Sequence, residues 1–141
     1  MMYLKRFNEN ISDWDLNLIR KFCYQNLAYL LDEGADLDFS QEYRTEQMVK
    51  VPYYKVIIKN INSKWSDIEV DMCPFLELLE EKYDLLNIYN NNQIEIMSKE
   101  ALGKIKATQY TGKIWFSINE IISGCIDDNS EISSISFLIR L

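Results

Sequence analysis

Histidine is absent from all 141 residues of this chain. That absence removes Ser-His-Asp and Cys-His catalysis, His-ligated zinc, and the one side chain that ordinarily titrates near neutral pH. Glycine is scarce, with four residues at 34, 103, 112 and 124, so neither a P-loop nor a dinucleotide fingerprint can be written. The three cysteines, Cys23, Cys73 and Cys125, are odd in number and far apart. Such a set suits reduced thiols, not a disulfide framework or a thiolate metal site. Apolar runs are short, as in Val56-Ile57-Ile58, against the roughly 18 residues a membrane span needs. The opening MMYLKRFNEN has a Lys-Arg pair with no apolar segment behind it, which is not the pattern of a signal peptide. The expectation is a cytoplasmic protein with no membrane partner.

What is present argues for a folded domain. Hydrophobic residues make up 48% and aromatics 13% of the chain, well away from the composition of disordered segments. The length suits one domain over 1–141, and no Pro/Gly/Ser linker divides it. Net charge is −7, from 15 Lys and Arg against 22 Asp and Glu, the opposite of a nucleic-acid footprint. No direct nucleic-acid partner is expected; the acidity fits solubility or a basic partner. Abundant Ile, Asn and Lys match the codon usage of an AT-rich genome.

The apolar spacing along the chain predicts an α+β fold. Trp14, Leu18, Ile19, Phe22, Cys23, Leu27, Leu30 and Leu31 share one helical face from Asp13 to Leu31, with Ser12 as N-cap and Gly34 as the C-terminal stop. Leu37, Phe39 and Tyr43 alternate with acids as in a half-buried strand. Arg44 to Gln47 reads as the turn into a second strand, Met48 to Asn60, in which Tyr54, Val56 and Ile58 face inward. Pro52 cannot donate to a ladder, so that strand begins as an edge or a bulge. In WSDIEVDMCPFLELLEEKY, Ser66 and Glu69 have capping-box spacing, and Pro74 predicts a split into two helices. Hairpins are expected around Asn90-Asn91-Asn92 and Thr111-Gly112, a helical turn over Ser98 to Leu102, and a short helix from Asn119 to Ser123 ended by Gly124. The last strand is the cleanest, with Ile135, Phe137, Ile139 and Leu141 in alternation.

Candidate chemistry is thin. Asp36 with Asp38, or Asp67 with Glu69 and Asp71, could hold a hard cation, but each set also decorates a solvated strand face or helix start, and no metal or other cofactor is assigned. Cys73 precedes Pro74 at a possible helix start, a place that lowers a thiol pKa, yet no basic residue accompanies it and a buried thiol is the simpler reading. Aromatics with lysines suggest a stacking pocket for a nucleotide-like ligand from Tyr53, Lys55, Tyr110, Lys113 and Trp115. Lys59, Lys104 and Lys106 are the other cations that could meet phosphates there. Glu77, Glu80 and Glu81 form the wet face of the central helix and are the candidate partner-binding set.

Three stretches, MMYLKRFNEN, SKWSDIEVDMCPFLELLEEKY and SSISFLIRL, resemble small accessory proteins carried by tailed bacteriophages of AT-rich hosts. The resemblance implies a non-enzymatic protein in the host cytoplasm that binds and inhibits a host factor, such as one of anti-phage defence. The alternative is a module that sequesters a nucleotide-derived signal, and an enzyme without recognisable motifs comes third. Self-association through strand edges and spare aromatics fits any of these.

Overall fold

The C-terminal strand is the centre of the molecule. In the computed structural model, which describes residues 13–88, 91–98 and 114–141, the chain runs α1 (Asp13–Asn26), α2 (Ala28–Asp32), β1 (Asp36–Glu46), β2 (Val49–Lys59), β3 (Ser63–Lys64) and α3 (Trp65–Lys82). It continues through β4 (Asn87–Ile88), β5 (Asn91–Ser98), β6 (Ile114–Ser117), α4 (Ile118–Ile122) and β7 (Glu131–Arg140). All strand pairs are antiparallel, in the order β1-β2-β7-β5-β4, with β3 added to β7 and β6 to β5. β7 therefore lies between β2, paired from Tyr53↔Arg140 to Ile58↔Ile135, and β5. Its last residues also bond to the segment after α3, Arg140 N–H to the Asp84 carbonyl at 2.7 Å and Leu86 N–H to the Leu138 carbonyl at 2.9 Å. The fold is α+β, as expected.

The period of two sorts the sheet into two faces. Tyr54, Val56 and Ile58 on β2 lie across from Ile139, Phe137 and Ile135 on β7, and all six are buried under the helices. From α1 come Leu16, Ile19, Phe22 and Cys23; from α3 come Trp65, Ile68, Met72, Phe75, Leu76 and Leu79; from α4 come Ile118 and Ile121. Phe75 meets Phe137 at 5.9 Å and Phe22 at 5.7 Å between ring centroids, which ties both long helices to the central strand. A smaller cluster, Val51, Tyr53, Leu86 and Leu138, packs on the opposite face.

Pro74 does not split α3. The helix is continuous from Trp65 to Lys82 with Pro74 inside it. A proline there loses its own N–H bond and crowds the carbonyl of Val70, one turn back. Both residues face solvent, so water can take that carbonyl, while the buried stripe from Ile68 to Leu79 holds the two halves on one core. The expected Ser66–Glu69 capping box does not form either. The helix starts at Trp65, two residues before the Asp67 expected, and its first N–H groups are met by a distant loop: Trp65 donates to the Ser130 carbonyl at 2.8 Å and Ser66 to that of Asp128 at 3.0 Å. Glu69 instead accepts from Trp65 Nε1 at 2.8 Å. A reciprocal capping box is found at α4, between Ser117 and Glu120.

The first expected helix breaks at Leu27, beside an Asn26 side chain that donates to the Phe22 carbonyl at 2.8 Å and so competes with the helix ladder. Gly34 and Gly124 carry φ of 108° and 92° and close α2 and α4 by paired bonds of the Schellman type. The β1–β2 turn is two residues, Gln47-Met48, both at positive φ (49° and 66°), later than expected. Pro52 lies where β2 has run past β7: its carbonyl accepts from Leu141 N–H at 3.1 Å, and the missing donor leaves no strand partner unmet. β4 and β5 form the expected hairpin, but Asn91 and Asn92, expected in its turn, stand in β5 opposite Ile88 and Asn87. Ser12, the turn over Ser98 to Leu102, and the first half of the Thr111-Gly112 pair lie wholly or mostly outside the described residues. No helix among the described residues is long and apolar enough to cross a membrane.

Candidate functional site

The aromatic and lysine set does not converge into a pocket. Tyr53, Lys55 and Trp115 share the sheet face away from the helices, but the path Lys55–Leu138, Ser136–Glu95, Glu95–Trp115 crosses three strand spacings, about 14 Å. Tyr53 is only 1% exposed and its hydroxyl donates to Glu46, so its ring is not available to stack on a ligand. Burial first, and the Glu46 contact second, push its phenol up to about 12. Lys55 is already paired with Glu42 at 3.6 Å. Trp115 is 41% exposed on β6. Tyr110 and Lys113, like Lys104 and Lys106, lie outside the described residues.

The carboxylate pairs are strand-face chemistry. Asp38 bonds Lys59 at 2.7 Å, which raises the lysine above its ordinary value, and Asp36 accepts from Asn60 at 2.8 Å. Among the described residues no cluster of acids or thiols is arranged to hold a metal. The thiols all sit above their ordinary value: Cys23 is pushed to about 12 by burial, Cys73 up by burial and then by Glu69 and Glu77, and Cys125 up by burial and Glu120. Cys73 is thus the reverse of an activated nucleophile, because Pro74 stands inside α3 and not at a helix start.

The outer ridge of α3 is different in kind. Val70, Pro74, Glu77 and Glu81 recur at helical spacing and all face solvent, Val70 at 73% exposure. Glu80 turns to one flank, where it accepts from Asn92 Nδ2 at 2.7 Å and is anchored to the β4–β5 hairpin. On the other flank Leu18, Phe22, Leu78 and Tyr83 line a groove of about 410 Å³ against α1. Lys82 closes over Phe22 there, its ammonium 5.0 Å from the ring centroid.

Energetically the three acids stand in the wrong place. Glu80 and Glu81 occupy the last turn of α3, where the helix dipole is negative and favours cations, Glu77 stands one turn before them, and Lys82 is the one basic residue of the last turn. Glu77 and Glu81 are four apart, a like-charge pair that weakens a helix by about 0.2–0.5 kcal/mol. None of the described ion pairs includes either residue. The wet-face spacing is visible in the sequence, and the adverse dipole follows from where α3 ends, at Lys82, whether or not the helix is continuous through Pro74. Comparison with protein-family models, curated proteins and solved structures returns no match.

Proposed function

We propose that this protein is a non-enzymatic binding protein whose acidic α3 ridge, Glu77 with Glu81 and the flanking Glu80, docks on a basic surface of another protein. The observation that carries this reading is the adverse placement of those acids. A helix end whose acids oppose its own dipole and join none of the described ion pairs gives up stability, and such local conflicts concentrate at functional surfaces. Exposed Val70 and Pro74 continue the ridge with apolar contact area beside the charges. With the resemblance to small phage accessory proteins, the partner is a host protein in the cytoplasm, and binding inhibits it. The elevated thiols agree with a non-catalytic role. Sequestration of a nucleotide-like signal has no comparable support, because Tyr53 is buried and Lys55 is engaged.

A pull-down from a bacterial host lysate tests the proposal. The parent protein should retain a discrete basic partner, lost when Glu77, Glu80 and Glu81 are reversed to Lys. A control with Asp32, Asp84 and Asp128 reversed to Lys has the same net charge and should keep the partner. Equal capture by both variants would contradict the acidic-ridge reading.

A further inference from the structure

β1 is an open edge. Among the described residues it pairs with β2 and with nothing else, over its whole length from Asp36↔Lys59 to Glu46↔Val49. The two-residue turn at Gln47-Met48 makes Glu46 and Val49 a hydrogen-bonded pair, and antiparallel bonding alternates from there. The even-numbered residues of β1 therefore bond to β2. The odd-numbered ones, Leu37, Phe39, Gln41, Tyr43 and Thr45, turn their N–H and C=O groups to the open side.

We infer that a second copy of this chain pairs on that edge, β1 antiparallel to β1, about a two-fold axis through Gln41. In this register Asp38, which bonds Lys59 within its own chain, lies opposite Arg44, and symmetry makes the pair twice. Phe39 lies opposite Tyr43, also twice, on the helix-bearing face, where Phe39 already stacks on Tyr54 at 5.6 Å. Tyr43, 65% exposed in the single chain, gains an aromatic neighbour. Gln41 meets Gln41, and Ser40 meets Glu42. Only the outermost pair, Asp36 with Glu46, sets like charges opposite each other, and there Glu46 is already bound by Tyr53 and by Arg140 at 3.4 Å.

Neighbouring registers of the same symmetry are worse. Centring on Ser40 brings Asp38 against Glu42, and centring on Glu42 brings that acid against its own copy and Asp38 against Glu46. Like charges directly opposite destabilise a strand pair, which disfavours both; centring on Tyr43 sets Glu42 against Arg44 but pairs only Ser40 to Glu46, whereas the Gln41 register pairs the whole of β1. Charged edge residues more often guard a sheet against indiscriminate pairing. Here the same charges guard against the adjacent registers and leave the full-length one open. The inference is independent of the α3 ridge, which lies on the helical layer.

The test is sedimentation of the full chain over a concentration series, with three variants. The parent should approach twice the 16.7 kDa monomer mass as concentration rises. R44D sets acid against Asp38 and should weaken self-association by about tenfold or more, given cross-strand pair energies counted twice. D38R/R44D restores opposite charges and should recover most of it. Q41P removes an N–H that faces the open edge and not β2, so it should give a folded monomer by circular dichroism. In a C125S background, Q41C should form an intermolecular disulfide on oxidation, because facing Cα atoms in a hydrogen-bonded pair are about 5.5 Å apart, within disulfide reach. A parent that stays monomeric overturns the inference. So does a dimer indifferent to both Q41P and R44D.

Discussion

Replacing Glu81 by Lys should make the protein more stable, an unusual outcome for reversing a surface charge. Glu81 is the penultimate residue of α3, and the change removes an anion from the negative end of the dipole and supplies a cation there. Each half of that exchange is worth about 0.3–0.5 kcal/mol at the exposed end of the usual range. The Glu77–Glu81 repulsion also becomes a Glu-to-Lys pair in the favourable order, a swing of about 0.4–1 kcal/mol. Together the gain is about 1–2 kcal/mol, or about 3–6 °C in Tm for a domain of this size. The assay is thermal and urea unfolding at 10 mM and 1 M salt. The gain should shrink as the Debye length falls from about 30 Å to about 3 Å. An unchanged or lower Tm at low salt would refute the claim that these acids burden the helix.

Other outcomes follow from the same structure. P74A should raise stability by about 1–3 kcal/mol in urea unfolding, since it restores a helix-interior bond and relieves the clash at Val70. F137A should lose about 3–5 kcal/mol, because Phe137 is buried on the central strand against Phe75. Tyr53 is held neutral in the fold up to about 12 while the unfolded phenol ionises near its ordinary 10. Its contribution is complete below that lower value and lost as pH rises between the two, so Y53F should flatten the alkaline fall in stability. Thermal shift against nucleotide second messengers should show no rise in Tm, as a bound ligand would produce.

Much of this fold was legible in the chain, for local reasons. The alternation of Ile135, Phe137 and Ile139, the helical face from Ile19 to Leu31, and the stop glycines Gly34 and Gly124 are short-range signals, and they hold in the structure apart from the break at Leu27; Leu18, expected inward, is 43% exposed, and Leu16 is buried in its place. What escaped the sequence depends on distant partners. Carbonyls of Asp128 and Ser130 cap α3, so its start moved off Ser66. A buried stripe on both sides of Pro74 overrode the proline. Gln47 and Met48 adopt a left-handed turn that neither residue type announces. The stacking site was mis-seen because Tyr53 alternates to the face away from the helices and is still buried, among Val51, Leu86 and Leu138. The acidic face of α3 was legible, and so was its cost, because the dipole and the Glu77–Glu81 pair act locally at the helix end on the C-terminal side of Pro74.

The most direct measurement is the partner affinity of the E77K/E81K protein set beside its melting temperature. The expected result is a folded variant at least as stable as the parent that binds the captured basic partner about tenfold or more weakly. Undiminished affinity in that folded variant would contradict the account.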